Sequence, residues 1–141
     1  MTGYDDSNIF ARILRGELPC HRVYEDDDVL AFLDIMPEGE GHTLVLPKAP
    51  SRNLLDADPE VLSRAIVTVQ RIAKAAQKAF EADGVRIVQF NEAAAGQTVF
   101  HLHFHIIPIR SEQPLGEHAR APANHEKLAA DAEKLIAALG F

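Results

Sequence analysis

An α+β domain built on an antiparallel sheet is the fold class that the sequence predicts. Apolar periodicity marks about three helices and about five strands, joined mostly by short links. The strands do not alternate regularly with the helices, which argues against a doubly wound parallel sheet. The longest helix is strongly amphipathic and supplies a face to pack on the sheet.

Residues 8–15 read as a short helix with Ser7 as N-cap and Gly16 as stop; Ile9, Phe10, Ile13 and Leu14 form its apolar face. Arg22–Glu25 and Val29–Leu33 read as two strands joined by the acidic turn Asp26-Asp27-Asp28. A turn with two glycines, 37–41, leads to a strand over 42–46 that Pro47 ends. The long helix is expected over 59–83, with Asp58 as N-cap and Pro59 at its first position. Leu62, Ile66, Val69, Ile72, Ala76 and Phe80 mark its buried face, and Gly84 stops it. A strand over 85–90, a loop over 91–98 and a strand over 99–109 follow. A polar, proline-containing stretch, 110–123, precedes a last amphipathic helix over 124–139, with Leu128, Leu135 and Ile136 on one side and Gly140 at its end.

The 141 residues suit one domain, with a core over 8–109 and a C-terminal extension over 110–141 that carries the last helix. Apolar residues make up 47 %, enough for a core that needs no disulfide, and the lone Cys20 can form none within the chain. A single thiol suits a reducing compartment, and Cys20 reads as a small filler near a turn. The formal charge of −7 excludes a general nucleic-acid binder, which would show a basic stripe. One nucleotide remains compatible, because local dipoles hold a single phosphate. No apolar run approaches the roughly 20 residues that a membrane span needs. Residues 1–7 are polar and acidic, unlike a signal peptide, so the cytoplasm is the expected location.

The chemistry is concentrated in His101-Leu102-His103-Phe104-His105. A strand places alternate side chains on one face, roughly 7 Å apart. The three imidazoles should therefore line one groove while Leu102, Phe104 and Ile106 enter the core. Histidine is neutral or charged near pH 7, and mutual repulsion disfavours full protonation of a cluster. A neutral ring can attack phosphorus while protonated neighbours steady the developing charge, with no metal or other cofactor. Imidazoles also bind zinc, and His42 could complete such a set, so spacing alone leaves a metal site open.

The pattern His-apolar-His-apolar-His-apolar-apolar, met by residues 101–107, resembles that of the histidine triad hydrolases and transferases. The resemblance extends over residues 8–108. It includes Ile9-Phe10, the run at 29–35, the segment Gly41-His42-Thr43-Leu44-Val45-Leu46-Pro47-Lys48, and Gly96-Gln97-Thr98-Val99-Phe100 leading into the triad. The chain is most similar to the nucleoside phosphoramidase branch, the histidine triad nucleotide-binding proteins, in a bacterial-type version.

The resemblance implies a homodimer whose two sheets join, and a purine nucleotide such as AMP or a conjugate as ligand. It implies that His103 attacks the α-phosphate of an adenosine phosphoramidate or aminoacyl adenylate, and that water then releases the nucleoside monophosphate. His105 would donate to phosphate oxygens, with His101 and His42 supporting the cluster. Asp34 would bind the ribose hydroxyls, and Asn91 the sugar or phosphate side. Gly96, Gln97 and Thr98 would reach the phosphate or leaving group. Phe10, Ile13, Leu18, Phe32 and Ile35 would wall the base. Read without the resemblance, Asp34 and Asn91 are turn formers and the apolar residues are ordinary core.

Two departures stand out. Some bacterial relatives carry a structural zinc site made by paired cysteines and a histidine, but the matching positions here are Asn8, Ala11 and Pro50, so that site is expected to be absent. The segment from Arg110 onward does not match the branch's short tail, which makes substrate identity less determined than reaction type. The other readings are a dinucleoside polyphosphate hydrolase, a nucleotide-binding or interaction module with little activity, and a metal-binding protein.

Overall fold

The computed structural model describes residues 3–111 and 124–140, so most of the expected polar stretch 110–123 lies outside the described residues. The elements are α1 (Ile9–Leu14), β1 (Arg22–Glu25), β2 (Val29–Leu33), β3 (Thr43–Pro47), α2 (Pro59–Ala79), β4 (Gly84–Val88), β5 (Phe104–Ile109) and α3 (His125–Leu139). Short 3-10 turns lie at Leu54–Asp56 and Ala93–Ala95. The strands form one sheet in the order β1-β2-β3-β5-β4, and every neighbouring pair is antiparallel, as the sequence predicts. Among the described residues, no helix is long and apolar enough to cross a membrane.

The central strands β2 and β3 are buried on both faces. On one face, Val29, Ala31, Leu33, Val45, Phe104 and Ile106 pack against Ala65, Val69, Ile72 and Ala76 of α2 and against its C-cap, Phe80. Leu128, Ala132 and Leu135 of α3 complete this core, so the C-terminal helix shares it with the sheet. On the other face, Leu30, Phe32, Leu44 and Leu46 pack under Phe10 of α1. The period-two alternation of β2 and β3 divides their side chains between the two clusters. His105 pairs with Leu44 across β3 and β5, which puts it on the α1 face. Cys20 packs at the edge of this second cluster, and burial raises its thiol pKa, as suits an inert filler.

Several elements differ from expectation. The cap of α1 is Asn8, whose side chain accepts from the Ala11 amide, while Ser7 bonds Asp5 instead. Ile9 is exposed, and the buried side chains of α1 are Phe10 and Ala11. The expected cap of α2, Asp58, accepts from the Glu60 amide, but the helix ends at Ala79, before Gly84. Glu81 there adopts a left-handed φ of 51°, and Gly84 opens β4. The buried stripe of α2 runs through Ala65, Thr68, Val69, Ile72, Ala75 and Ala76, which leaves Ile66 half exposed. Ile136 of α3 is likewise exposed.

The turn before β3 needs its second glycine. Gly41 has φ +82°, and a Cβ there would lie 2.5 Å from the Phe80 ring. This close approach lets the turn sit on the end of α2 and sets where His42 emerges.

Candidate active site

The histidine segment is only partly a strand. β5 begins at Phe104, whereas the sequence suggested a strand from Val99. The segment after β3 contains Pro50, which has no amide hydrogen, and the Leu102 amide donates to the Ser51 carbonyl there at 2.9 Å. Alternation nevertheless persists: Leu102, Phe104 and Ile106 enter the core as expected.

Hydrogen-bond partners assign the tautomer of each ring. His103 Nδ1 lies 2.7 Å from the His101 carbonyl oxygen. A carbonyl only accepts, so Nδ1 carries the proton and Nε2 keeps its lone pair. His101 Nε2 donates to the Pro47 carbonyl at 2.8 Å, leaving Nδ1 to accept from the Tyr4 hydroxyl at 2.6 Å. His42 Nδ1 accepts from the Glu38 amide at 3.0 Å, so its proton sits on Nε2. That proton points at His105 Nδ1, 2.9 Å away, and His105 therefore carries its own proton on Nε2. Backbone geometry at Glu38 thus sets His105 as a donor through His42.

The rings of His103 and His105 lie 5.1 Å apart, centroid to centroid, and Phe10 stands edge-on to His103 at 4.8 Å. His103 is buried, and desolvation holds its pKa below the usual imidazole value; the bond to the His101 carbonyl opposes this. His101 is completely buried, and desolvation also lowers its pKa. In this hydrogen-bond pattern His42 and His101 each accept through Nδ1 and donate through Nε2. His101 sits behind His103 and meets it through its backbone.

Asp34 is nearly buried. One carboxylate oxygen accepts from the Met36 amide at 2.8 Å, and the other lies 3.5 Å from His42 Nε2. Among the described residues, Asp34, His42 and His105 offer possible metal-ligand atoms within 4.8 Å of one another. The tautomer of His42 opposes a metal there. Ligation through Nε2 would move the proton to Nδ1, against the Glu38 N–H.

The loop before the triad is braced internally. Gln97 Oε1 accepts from Asn53 Nδ2 at 3.1 Å and the Glu92 amide at 2.8 Å, while Nε2 donates to the Arg52 and Val99 carbonyls at 2.7 and 3.0 Å. Its carboxamide is consumed as a strut, which corrects the expectation that this side chain reaches a phosphate. Asn91 Oδ1 accepts from the Leu54 amide and from Gln89 Nε2, each at 2.9 Å, and Asn91 Nδ2 donates to Gln89 Oε1. Its carboxamide thus ties its own loop to the segment at Leu54. Arg52 grips Glu92 through two bonds of 2.8 and 2.9 Å and stacks over Phe100 at 4.2 Å. Glu92 is held at φ +75°, a conformation costing about 1–3 kcal/mol that this clamp must offset.

Gly96, at φ +109°, leaves room for Phe90: a Cβ would lie 3.1 Å from its ring. Phe90 in turn stands edge-on to His105 at 5.7 Å. Thr98 is exposed at the rim of this loop. Phe10, Phe32 and Ile13 belong to the apolar cluster beside His103. Leu18 is half-buried and Ile35 is 43 % exposed, both outside that cluster. Sequence reasoning missed Tyr4, Phe90 and the Glu38 amide. Phe90 could have been found as the neighbour of Asn91, but a backbone donor carries no residue signature.

The comparisons decide the family: the family model described as HIT domain matches residues 15–112. The chain belongs to the HIT family. A HIT-like protein of Mycobacterium tuberculosis is 46 % identical over 107 residues, covering 76 % of this chain and 74 % of its own. The Arabidopsis thaliana protein named adenylylsulfatase HINT3 is 37 % identical over 128 residues, covering 91 % of this chain and 65 % of its own. A solved HIT-like protein from Bartonella henselae, described as involved in cell-cycle regulation and as holding an unknown ligand, superposes with a TM-score of 0.92. It is 55 % identical, with 97 % of this chain and 99 % of that one covered. HIT membership supports a nucleotide-binding hydrolase as the general class.

Proposed function

We propose that this chain cleaves a purine nucleoside monophosphate from a phosphoramidate or an acyl adenylate through a covalent nucleotidyl-His103. The observation that carries this reading is the 2.7 Å bond from His103 Nδ1 to the His101 carbonyl, which fixes the Nε2 lone pair toward a reacting phosphorus. Nε2 forms the new bond to phosphorus, and the bond to the leaving group breaks with its electron pair. The positive charge left on the ring is shared with the His101 carbonyl. His105 Nε2–H donates to a phosphate oxygen as charge develops there. Water then attacks phosphorus and frees the monophosphate.

In this reading Asp34 accepts from the ribose hydroxyls, and its carboxylate is already held by the Met36 amide. Phe10, Ile13, Leu18, Phe32 and Ile35 wall the base. The Gly96 and Gln97 amides donate within the loop, to the Ala93 and Glu92 carbonyls at 3.0 and 3.1 Å, so Thr98 is the residue of this loop that reaches the phosphate or leaving group in this reading, with Asn91 on the same side. Mixing the protein with an adenosine phosphoramidate and following AMP release tests the assignment. His103→Ala is expected to lose nearly all turnover; wild-type rates in that variant would remove His103 as the nucleophile.

The Arabidopsis relative's name favours a second reading, hydrolysis of adenylyl sulfate by the same histidines. A panel of phosphoramidate, acyl adenylate, adenylyl sulfate and dinucleoside polyphosphate, ranked by kcat/KM, separates the leaving groups.

The whole chain, 1–141, is read as one domain, supported by the core that α3 shares with the sheet. A homodimer is part of the same reading. β4 is an outer strand of the sheet, and its Ile87 and the neighbouring Ile66 of α2 are exposed. A second copy laid on this edge would continue the sheet and cover those side chains. The lone, half-buried Cys20 is compatible with the cytoplasm.

A further inference from the structure

We propose that Tyr4 is a positioning residue for the nucleophile, acting through His101. This rests on the reading of His103 as the attacking group. The Tyr4 hydroxyl sits 2.6 Å from His101 Nδ1 and accepts from Asn8 Nδ2 at 3.1 Å. With its acceptor capacity engaged by Asn8, the hydroxyl directs its own proton at His101. His101 Nε2 is already committed to the Pro47 carbonyl. Both nitrogens of this completely buried ring are therefore satisfied, in one tautomer only. The same residue's carbonyl holds His103 Nδ1. The bonds at both ring nitrogens anchor residue 101, and that residue carries the carbonyl that orients the nucleophile.

Tyr4 also joins two elements that converge on His103. Asn8, which donates to Tyr4, is the N-cap of α1, and α1 carries Phe10 against the His103 ring. One phenol thus links the helix on the apolar side of His103 with the histidine behind it. Burial raises the pKa of Tyr4, so its hydroxyl stays a donor throughout the neutral range. The Tyr4 and His101 rings also meet edge to face, with centroids 5.6 Å apart. A phenylalanine in place of Tyr4 would keep this contact and lose only the hydrogen bonds.

Tyr4→Phe separates positioning from packing. The expected result is a kcat about tenfold lower with KM unchanged, since the lost bond orients the nucleophile without touching the nucleotide. The 15N resonance of His101 Nδ1, read without substrate, should move downfield as this acceptor loses its donor. Tyr4→Leu, which also removes the ring, should show the same resonance shift and a further loss of kcat. A Tyr4→Phe protein in which either kcat or the His101 Nδ1 resonance matches wild type overturns the proposal. The nitrogen resonance needs no turnover, so this test stands apart from the activity of His103→Ala, on which the functional reading depends.

Discussion

The proton on His103 Nδ1 is committed to the His101 carbonyl, 2.7 Å away, so a backbone atom two residues upstream decides that Nε2 is the nitrogen with the lone pair. The arrangement works only while His103 is neutral, and burial favours that form by lowering its pKa.

The pH profile follows from that shift. Protonating Nε2 removes the lone pair, so the acid limb of kcat/KM reports His103 in the free enzyme. That limb should fall below the ordinary imidazole pKa of about 6.5. The linked stability has a definite sign. A depressed folded pKa contributes stability fully present above the unfolded value and lost as pH falls through the folded value. Urea unfolding across this acid range should therefore show a decline that His103→Ala reduces. An acid limb above the ordinary value would contradict the burial argument.

Gly41→Ala should destabilise the fold by about 2–4 kcal/mol, from a left-handed backbone and overpacking together. The added methyl would meet Phe80 at 2.5 Å. Thermal unfolding measures this, and a variant as stable as wild type would mean that the turn moves freely off α2.

Gln97→Leu should cost about 3 kcal/mol, because the Glu92 amide and two backbone carbonyls lose a buried partner. Chemical denaturation checks the value. If stability holds while nucleotide affinity collapses, Gln97 belongs to the ligand rather than to the loop.

Ile87→Asp places a carboxylate on the exposed face of the outer strand β4. Light scattering should find the variant monomeric at concentrations where the parent protein is a dimer. A monomeric parent, or a dimeric variant, would exclude this edge as the interface.

The antiparallel topology and the boundaries of β1 and β2 were legible because their alternation and turn chemistry are local. The end of α2 was not: Gly84 looked like a stop, but Glu81 breaks the helix earlier. The inward turn of Leu102 and Phe104 was legible from period two, whereas the late start of β5 was not, since there the chain leaves the β3 register and the Leu102 amide bonds the distant Ser51 carbonyl. Among site residues, His42, His103 and His105 are brought together as expected. Their tautomers are not legible, because they are set by partners such as the Glu38 amide that no pattern in the chain announces. The loop contacts of the Gln97 and Asn91 carboxamides are not legible either. A polar side chain beside a triad looks the same in sequence whether it faces in or out.

The most direct test is to stop a single turnover with an adenosine phosphoramidate in acid-free quench and map the modified peptide by mass spectrometry. The prediction is one AMP moiety on the imidazole of His103, formed and lost at rates that account for AMP release. AMP release with no adduct at any time, or an adduct on another residue, would contradict it.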